Sequence, residues 1–85
     1  MKMSDWTVYI LKCGDDSYYT GITNDLQKRI SDHENGLGAK YTQGRGPFEI
    51  AYTEKSANRS EASKREFAIK KLSRLQKVKI ISGIL

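Results

Sequence analysis

Runs of apolar residues, separated by polar and turn-forming segments, divide the chain into five elements of secondary structure. Residues 6–13 alternate β-branched and aromatic side chains with others, which predicts a fairly buried strand. A Gly-Asp-Asp-Ser segment at 14–17 is turn-forming, and residues 18–23 are apolar again. The pattern therefore predicts a hairpin of two antiparallel strands.

Two features of this hairpin bear on a candidate site: the faces on which its tyrosines lie, and a glycine inside its second strand. If opposed residue numbers sum to an even number, Tyr9 and Tyr19 share a face of the sheet, and if the sum is odd, Tyr9 shares its face with Tyr18. The sequence leaves both registers open. Gly21 lies inside the second strand, where a missing side chain often marks close approach by another group.

A helix is predicted directly after the hairpin. Leu26, Ile30 and His33 recur at helical spacing and form one face of it. Thr23 or Asn24 is expected to cap its N-terminus, since both side chains can accept a backbone hydrogen bond.

The connection at 36–47 contains four of the seven glycines. One interpretation is a mobile surface loop. The other, which we favour, is a flexible basic arm that contacts a nucleic-acid backbone through Lys40, Tyr41 and Arg45.

The second half of the chain predicts one strand and one long helix. Phe48, Ile50 and Tyr52 alternate with other residues, which indicates a strand with one wetter face. Asn58 can cap a helix that runs roughly to Gln76. The apolar face of this helix consists of residues at helical spacing: Ala62, Ile69, Leu72 and Leu75.

The apolar segment 78–85 is expected to pack back on the domain, with a partner surface as the alternative. A chain of 85 residues has no room for two cores, so we predict a single domain, residues 1–85. The element order is β-β-α-β-α, and the fold class is α/β (α+β), with helices against a small, mostly antiparallel sheet.

Charge is unevenly distributed along the chain. Residues 1–54 carry six Lys and Arg against eight acids, whereas residues 55–85 carry nine against two. A basic helix suits a polyanion, most simply nucleic-acid phosphate. Charge alone does not separate this interpretation from a solvated helix face.

Cysteine content and hydropathy bear on location. Cys13 is the single cysteine and cannot form an internal disulfide, which fits a reducing compartment. The N-terminal residues do not resemble a signal peptide, and no apolar run has the length of a membrane span. We therefore expect a cytoplasmic protein that has no membrane partner.

The candidate catalytic set combines two tyrosines, an arginine, a histidine and a glutamate: Tyr9, Tyr19, Arg29, His33 and Glu66. Arginine stabilises charge on a reacting phosphate, a histidine can take a tyrosine proton, and one carboxylate holds Mg²⁺ when phosphates and water complete its coordination. The set is coherent for metal-assisted phosphodiester hydrolysis. Taken singly, each residue also has a structural explanation, for example an ion pair between Glu66 and Lys70.

These residues and their order resemble the GIY-YIG nuclease domain, and most closely its small, stand-alone bacterial (YhbQ-like) members. The motifs cover nearly the whole chain. In order they are Tyr9-Ile10, Tyr19-Thr20-Gly21, Thr23-Asn24-Asp25-Leu26, Gly38-Ala39-Lys40-Tyr41-Thr42, Pro47, Tyr52-Thr53, and Arg65-Glu66 with Ile69-Lys70-Lys71-Leu72. The first motif reads Thr7-Val8-Tyr9 and so lacks its leading glycine.

The resemblance implies a three-stranded antiparallel sheet and a Mg²⁺-dependent endonuclease site, with Mn²⁺ as a substitute metal. Tyr9 would be the general base, helped by His33, while Tyr19 orients the water or the phosphate. Arg29 would steady the scissile phosphate and Glu66 would hold the metal. The expected nucleic-acid contacts are basic and aromatic residues of the connection and the last helix: Lys40, Tyr41, Arg45, Lys70, Lys71 and Arg74.

The expected substrate is DNA, with structured DNA or RNA as further candidates. Many members of the family cut only when fused to a second domain, and we expect none within these 85 residues. A nucleic-acid-binding module that cuts weakly or not at all, or a subunit that needs an unidentified protein partner, is therefore the alternative. A third hypothesis is a protein-interaction module that uses the apolar tail.

Overall fold

The computed structural model describes residues 5–83 and consists of one antiparallel sheet with helices packed against it. The sheet has three strands in the order β2-β1-β3. The strands are β1 (Trp6–Lys12), β2 (Tyr18–Thr23) and β3 (Glu49–Ser56). The helices are α1 (Leu26–Glu34), α2 (Arg59–Lys70) and α3 (Arg74–Ile81), and a 3₁₀ turn spans Lys40–Thr42. The predicted α+β class and three-stranded sheet are confirmed.

The hairpin adopts the even register. Tyr9 is opposite Gly21, and Leu11 is opposite Tyr19. Side chains alternate between the faces of a strand, so Tyr9 and Tyr19 lie on the same face. The sequence could not choose between the two registers, and the structure selects the one that brings the two tyrosines together.

Strand β3 departs from the predicted alternation. Ile10 pairs with Tyr52 but Leu11 pairs with Ile50, so Ala51 is an extra residue in the ladder. Such a bulge moves the residues on either side of it to opposite faces. The prediction that Ile50 and Tyr52 share a face is therefore wrong, and Ile50 is 50% exposed.

The long second helix of the prediction is two helices. Helix α2 ends at Lys70, and a capping box at Ser73, whose side chain and backbone exchange hydrogen bonds with Gln76, begins α3. Ala62 and Ile69 of α2 lie in the core, whereas Leu75 of α3 is 66% exposed. The predicted end at Gln76 and the core position of Leu75 are therefore wrong.

The N-terminus of α1 also differs from the prediction by one or two residues. Asp25 is the cap, because its carboxylate accepts a hydrogen bond from the backbone N–H of Lys28. Thr23 makes a smaller local turn instead, accepting from the backbone N–H of Asp25.

The apolar core lies between one face of the sheet and the last two helices. Val8 and Ile10 of β1 pack with Ala62 and Ile69 of α2. Ile81 at the end of α3 packs against this cluster, as expected for the tail. The rest of that prediction concerns Ile84 and Leu85, which lie outside the described residues. None of the helices within 5–83 is long and apolar enough to cross a membrane.

Candidate active site

Tyr9 lies on the opposite face of β1 from the apolar core and has no exposed surface. Its hydroxyl lies over Gly21 on the neighbouring strand. A Cβ added at Gly21 would approach the Tyr9 hydroxyl oxygen to 2.5 Å, so any side chain there would displace the phenol. The close approach that the glycine indicated is therefore that of Tyr9.

A buried chain of hydrogen bonds joins Tyr9 to the connection at 36–47. The Tyr9 hydroxyl and His33 Nε2 are 2.8 Å apart, and His33 Nδ1 and the Thr42 hydroxyl are also 2.8 Å apart. The Thr42 hydroxyl in turn donates to the Ala39 carbonyl at 2.8 Å. His33 and Thr42 are each 1% exposed, so these groups depend on one another for their hydrogen bonds.

The electrostatics of the Tyr9–His33 pair favour the neutral form of both groups. Burial raises the pKa of Tyr9 to about 12, although the Arg29 guanidinium opposes this shift. Burial also lowers the pKa of His33, and the charge of Arg29 lowers it further, whereas Asp32 raises it. At pH 7 the resting pair is therefore a phenol beside a neutral imidazole that can accept its proton.

Arg29 lies one helical turn before His33 on α1, with its guanidinium beside the Tyr9 hydroxyl. Burial alone would lower the pKa of Arg29, but Tyr9, Tyr19 and Asp32 raise it above its ordinary value. The arginine therefore stays charged and supplies positive charge next to the phenol.

Tyr19 is half-buried and forms the outer part of the site. Its ring meets the His33 ring edge-on, with centroids 5.3 Å apart. Tyr41 stacks on Tyr19 with centroids 6.0 Å apart and an interplanar angle of 19°. Lys70 Nζ lies 5.9 Å from the Tyr19 centroid, and Arg45 lies over Tyr41 at 4.3 Å. The aromatic stack is therefore flanked by a cation at each end.

The connection at 36–47 is fastened to the hairpin turn. Arg45 forms an ion pair with Asp15 and donates from Nε to the Tyr41 carbonyl at 2.6 Å. The Gly14 N–H donates to the Arg45 carbonyl at 2.6 Å. Hydrogen bonds from Ser17, with the Arg45 ion pair, lower the pKa of Asp15 to about 2. Arg45 therefore has a structural role here, and its contact with nucleic acid stays a prediction.

Glu66 comes from α2 and lies near the site from the β2 side. Its carboxylate is 23% exposed and forms an ion pair with Lys70 at 3.2 Å. Its charge is close enough to Tyr9 to raise the pKa of the phenol. The structure thus contains the ion pair with Lys70 that the sequence allowed, and the charge of Glu66 acts on Tyr9, while the role of Glu66 as metal ligand stays a prediction.

Glu66 is the candidate ligand for Mg²⁺ at this site. Within residues 5–83, no three His, Cys, Asp or Glu side chains are grouped so that they could hold a metal ion. Mg²⁺ is commonly bound by one or two carboxylates, with substrate phosphates and water as the remaining ligands. A single partly exposed Glu66 fits that mode, and Lys70 is the cation that a metal would displace.

The other predicted nucleic-acid contacts lie on the surface. Lys71 covers the Phe67 ring at 4.3 Å, and Arg74 lies over the Tyr18 ring at 4.6 Å. Lys40 is exposed at the start of the 3₁₀ turn. A groove of about 330 Å³ lies between β2, the connection at 36–47 and the last two helices. Its lining consists of Tyr18, Tyr19, Thr20, Tyr41, Lys70 and Lys77.

Two residues at the site escaped the sequence reasoning. Thr42 appeared only as part of a motif, and nothing in its spacing indicated that it would reach His33. Gly38 packs against the His33 ring, where an added Cβ would overlap Nδ1. The excess of glycine in the connection was the only signal, and glycine is compatible with close packing as well as with flexibility.

The fold and the order of these residues define the class of protein. Residues 5–79 match the profile described as the GIY-YIG catalytic domain. The match covers most of the chain, which therefore belongs to the GIY-YIG catalytic domain family. The family resemblance predicted from the motifs is confirmed.

Several similar proteins are named UPF0213. The chain is 60% identical over 76 residues to UPF0213 protein CPE1444 of Clostridium perfringens, covering 89% of this chain and 82% of that protein. It is 57% identical over 74 residues to UPF0213 protein OB0043 of Oceanobacillus iheyensis, covering 87% and 86%.

Two solution NMR structures are similar. That of UPF0213 protein BH0048 from Bacillus halodurans is 46% identical, with a TM-score of 0.60 over 92% of this chain and 83% of that chain. That of protein EF2693 from E. faecalis is 39% identical, with a TM-score of 0.67 over 98% and 88%.

Proposed function

We propose that this protein is a Mg²⁺-dependent endonuclease that hydrolyses phosphodiester bonds in DNA, with structured DNA or RNA as further substrates. The observation that supports the proposal most directly is the buried hydrogen bond between Tyr9 and His33. The hydrogen bond gives the Tyr9 proton an acceptor, and the Arg29 guanidinium favours the phenolate, although burial holds the proton on Tyr9 in the resting site. The cytoplasmic location inferred from the single Cys13 is part of the same proposal.

The chain's own residues would divide the chemistry between them. His33 Nε2 takes the Tyr9 proton, and the Tyr9 oxygen then removes a proton from the water that attacks phosphorus. Arg29 contacts the scissile phosphate and stabilises the negative charge of the transition state. Tyr19, which is nearer the surface, orients the water or the phosphate.

Glu66 would hold the metal, with phosphate and water as the other ligands. Mg²⁺ bound there supplies positive charge that offsets the charge on the leaving oxygen, and Mn²⁺ would substitute for it. Lys70, released from its ion pair with Glu66, is then available to contact the phosphate backbone. The remaining proposed contacts are Lys40, Tyr41, Arg45, Lys71 and Arg74.

The burial of Tyr9 sets a condition on this mechanism. With no exposed surface on Tyr9, water reaches its hydroxyl only after a neighbouring side chain moves or the substrate opens a path. Tyr19 is the half-buried ring beside it, at a centroid distance of 6.3 Å. Substrate binding that shifts Tyr19 would therefore be a step before cleavage.

The second candidate is a nucleic-acid-binding module without its own cleavage activity, or a subunit that needs a protein partner. Two observations favour it: Tyr9 is closed to solvent, and Glu66 is already neutralised by Lys70. This candidate predicts salt-sensitive binding that does not depend on Glu66.

One experiment separates the candidates. Labelled single strands, flaps, forks and junctions of DNA and RNA are incubated with Mg²⁺, Mn²⁺ or EDTA, using wild type and Glu66→Gln. Glu61→Gln is the matched control, because Glu61 is on the same helix and also forms a lysine pair. We expect metal-dependent cutting that falls about 100-fold or more in Glu66→Gln only. Binding without cutting of any substrate by wild type would overturn the nuclease proposal.

A further inference from the structure

The Thr42 hydroxyl lies at the end of the buried chain and has only one hydrogen to donate. It contacts two groups at 2.8 Å, His33 Nδ1 and the Ala39 carbonyl oxygen. A carbonyl oxygen can only accept, so the Thr42 hydrogen is directed to Ala39. The contact with His33 therefore requires that Nδ1 carries a hydrogen and that Thr42 accepts it.

This assignment fixes the other side of the imidazole. A neutral histidine carries one ring hydrogen, so a protonated Nδ1 leaves Nε2 with a free lone pair. Nε2 is the atom that faces the Tyr9 hydroxyl at 2.8 Å, so Tyr9 must be the donor. All hydrogens in the chain then point in one direction, from Tyr9 towards Ala39.

We propose that Thr42 is a positioning residue that holds His33 in the Nδ1-protonated tautomer, so that Nε2 is kept free to take the Tyr9 proton. When that proton moves, the O–H bond of Tyr9 breaks and an N–H bond forms at Nε2. The imidazolium then has an acceptor for each hydrogen, the Tyr9 oxygen at Nε2 and Thr42 at Nδ1. Thr42 serves the histidine in both protonation states.

Neighbouring groups restrict the orientation of the Thr42 side chain and of the His33 ring. The backbone N–H of Thr42 donates to the same Ala39 carbonyl at 3.0 Å, which ties the residue to the start of the 3₁₀ turn. Gly38 packs against His33 where an added Cβ would overlap Nδ1. The connection at 36–47 therefore acts as a support for the histidine.

The tautomer can be measured without any substrate, because His33 is the only histidine in the chain. Long-range ¹⁵N–¹H NMR spectra of the full chain, recorded above the pH at which His33 titrates, distinguish the protonated ring nitrogen. We expect Nδ1–H in wild type and in Thr42→Ser, which keeps the hydroxyl. Thr42→Val, which has nearly the same shape without a donor or acceptor, is expected to lose the preference for Nδ1–H.

A wild-type spectrum with Nε2–H, or a Thr42→Val spectrum identical to wild type, would overturn the proposal. The backbone resonances in the same spectra show whether each variant is folded. Should Thr42→Val not fold, the comparison moves to Thr42→Ala, which leaves space for water but removes the fixed acceptor.

The effect of the tautomer on catalysis rests on the proposed nuclease function and has its own measurement. We expect Thr42→Val to lower kcat about 10- to 100-fold with little change in KM, and Thr42→Ser to restore most of it. An unchanged kcat in a variant that has lost the tautomer would overturn the catalytic role. If wild type does not cut, the nuclease proposal fails, while the NMR comparison still decides the role of Thr42.

Discussion

Four consecutive side chains of β1 are completely buried, and the two faces of the strand differ in the groups that surround them. Val8 and Ile10 face α2 and pack against other aliphatic side chains. Tyr9, on the other face, lies over Gly21 and bonds to His33. The first face needs only apolar partners of suitable volume, whereas the second needs specific atoms at specific positions.

The difference between the faces is also one of sequence distance. The Tyr9–His33 bond joins residues 24 positions apart, and Thr42 lies nine residues further on. Because buried polar groups without partners are costly, this face is stable only when all three residues are in place. We infer that the aliphatic face mainly provides stability, and that the polar face holds reactive groups at some cost in stability.

The largest expected effect concerns the aliphatic face. Ile69→Ala removes a fully buried side chain, and we expect it to lower the free energy of unfolding by about 2–5 kcal/mol, measured by urea titration. Leu75→Ala, in the neighbouring helix, should change it by less than about 0.5 kcal/mol, since Leu75 is 66% exposed. If Ile69→Ala does not fold, Ile69→Val replaces it, with an expected loss of about 0.5–1.5 kcal/mol. Equal losses in the isoleucine and leucine variants would contradict the placement of the core.

The next effect tests the packing of the polar face. Gly21→Ala would place a Cβ 2.5 Å from the Tyr9 hydroxyl oxygen, and we expect a loss of about 1–3 kcal/mol in the free energy of unfolding. The same change in a Tyr9→Phe background should cost less, because the nearest clashing atom is gone. A double-mutant cycle measures the difference. Some cost persists in that background, because the Tyr9 ring carbon Cζ would still lie 2.7 Å from the added Cβ. A larger cost in the Tyr9→Phe background than in wild type would contradict the close approach of the hydroxyl to Gly21.

A smaller effect is the pH dependence of stability. Burial lowers the pKa of His33 in the folded state below its unfolded value of 6.5, so below that pH the unfolded chain binds the proton and the folded chain resists it. The free energy of unfolding should therefore decrease as pH falls from about 6.5 to the folded pKa, by at most about 1.4 kcal/mol per unit. His33→Gln should abolish this slope. The carboxyl group of Asp15, whose pKa is lowered to about 2, affects the free energy of unfolding in a separate pH range, below about pH 4.

The smallest effect concerns the exposed cations of the last two helices. Lys71→Ala or Arg74→Ala should weaken DNA binding a few-fold, and each should reduce the slope of log affinity against log salt by about one unit. Lys64→Ala is the control, since Lys64 is paired with Glu61 in the first half of α2. Fluorescence anisotropy at several salt concentrations measures the slopes. An equal reduction in the control variant would mean that the basic residues act only through net charge.

Elements whose apolar pattern is regular could be predicted from the sequence. The two strands of the hairpin and α1 follow alternation or helical spacing closely, and their positions were predicted well. The register could not be predicted, because both registers satisfied the same alternation. The bulge at Ala51 depends on one extra residue in a ladder, and the pattern of Phe48, Ile50 and Tyr52 continued through it without a break.

The boundary between α2 and α3 shows a conflict between two local signals. Leu72 and Leu75 continue the helical spacing of Ala62 and Ile69, so periodicity favoured one long helix. The capping box at Ser73 favoured a new start, and it prevailed in the structure.

The residues of the candidate site were proposed from their chemistry and order in the sequence, and their individual roles came from the family resemblance. Two contacts join distant parts of the chain: the hydrogen bond between His33 and Thr42, and the ion pair between Arg45 and Asp15. Arg45 and Asp15 are 30 positions apart, and the segment between them contains no pattern that indicates this ion pair.

The most direct test of the account is the single-turnover cleavage rate of Tyr9→Phe. Tyr52→Phe is the matched control, because its hydroxyl is also hydrogen-bonded, to Glu54 at 2.6 Å, but lies on the opposite face of the sheet. The account predicts that cleavage with Mg²⁺ falls about 10²- to 10⁴-fold in Tyr9→Phe and stays near the wild-type rate in Tyr52→Phe. Cleavage by Tyr9→Phe at the wild-type rate would contradict the claim that the buried phenol is the general base.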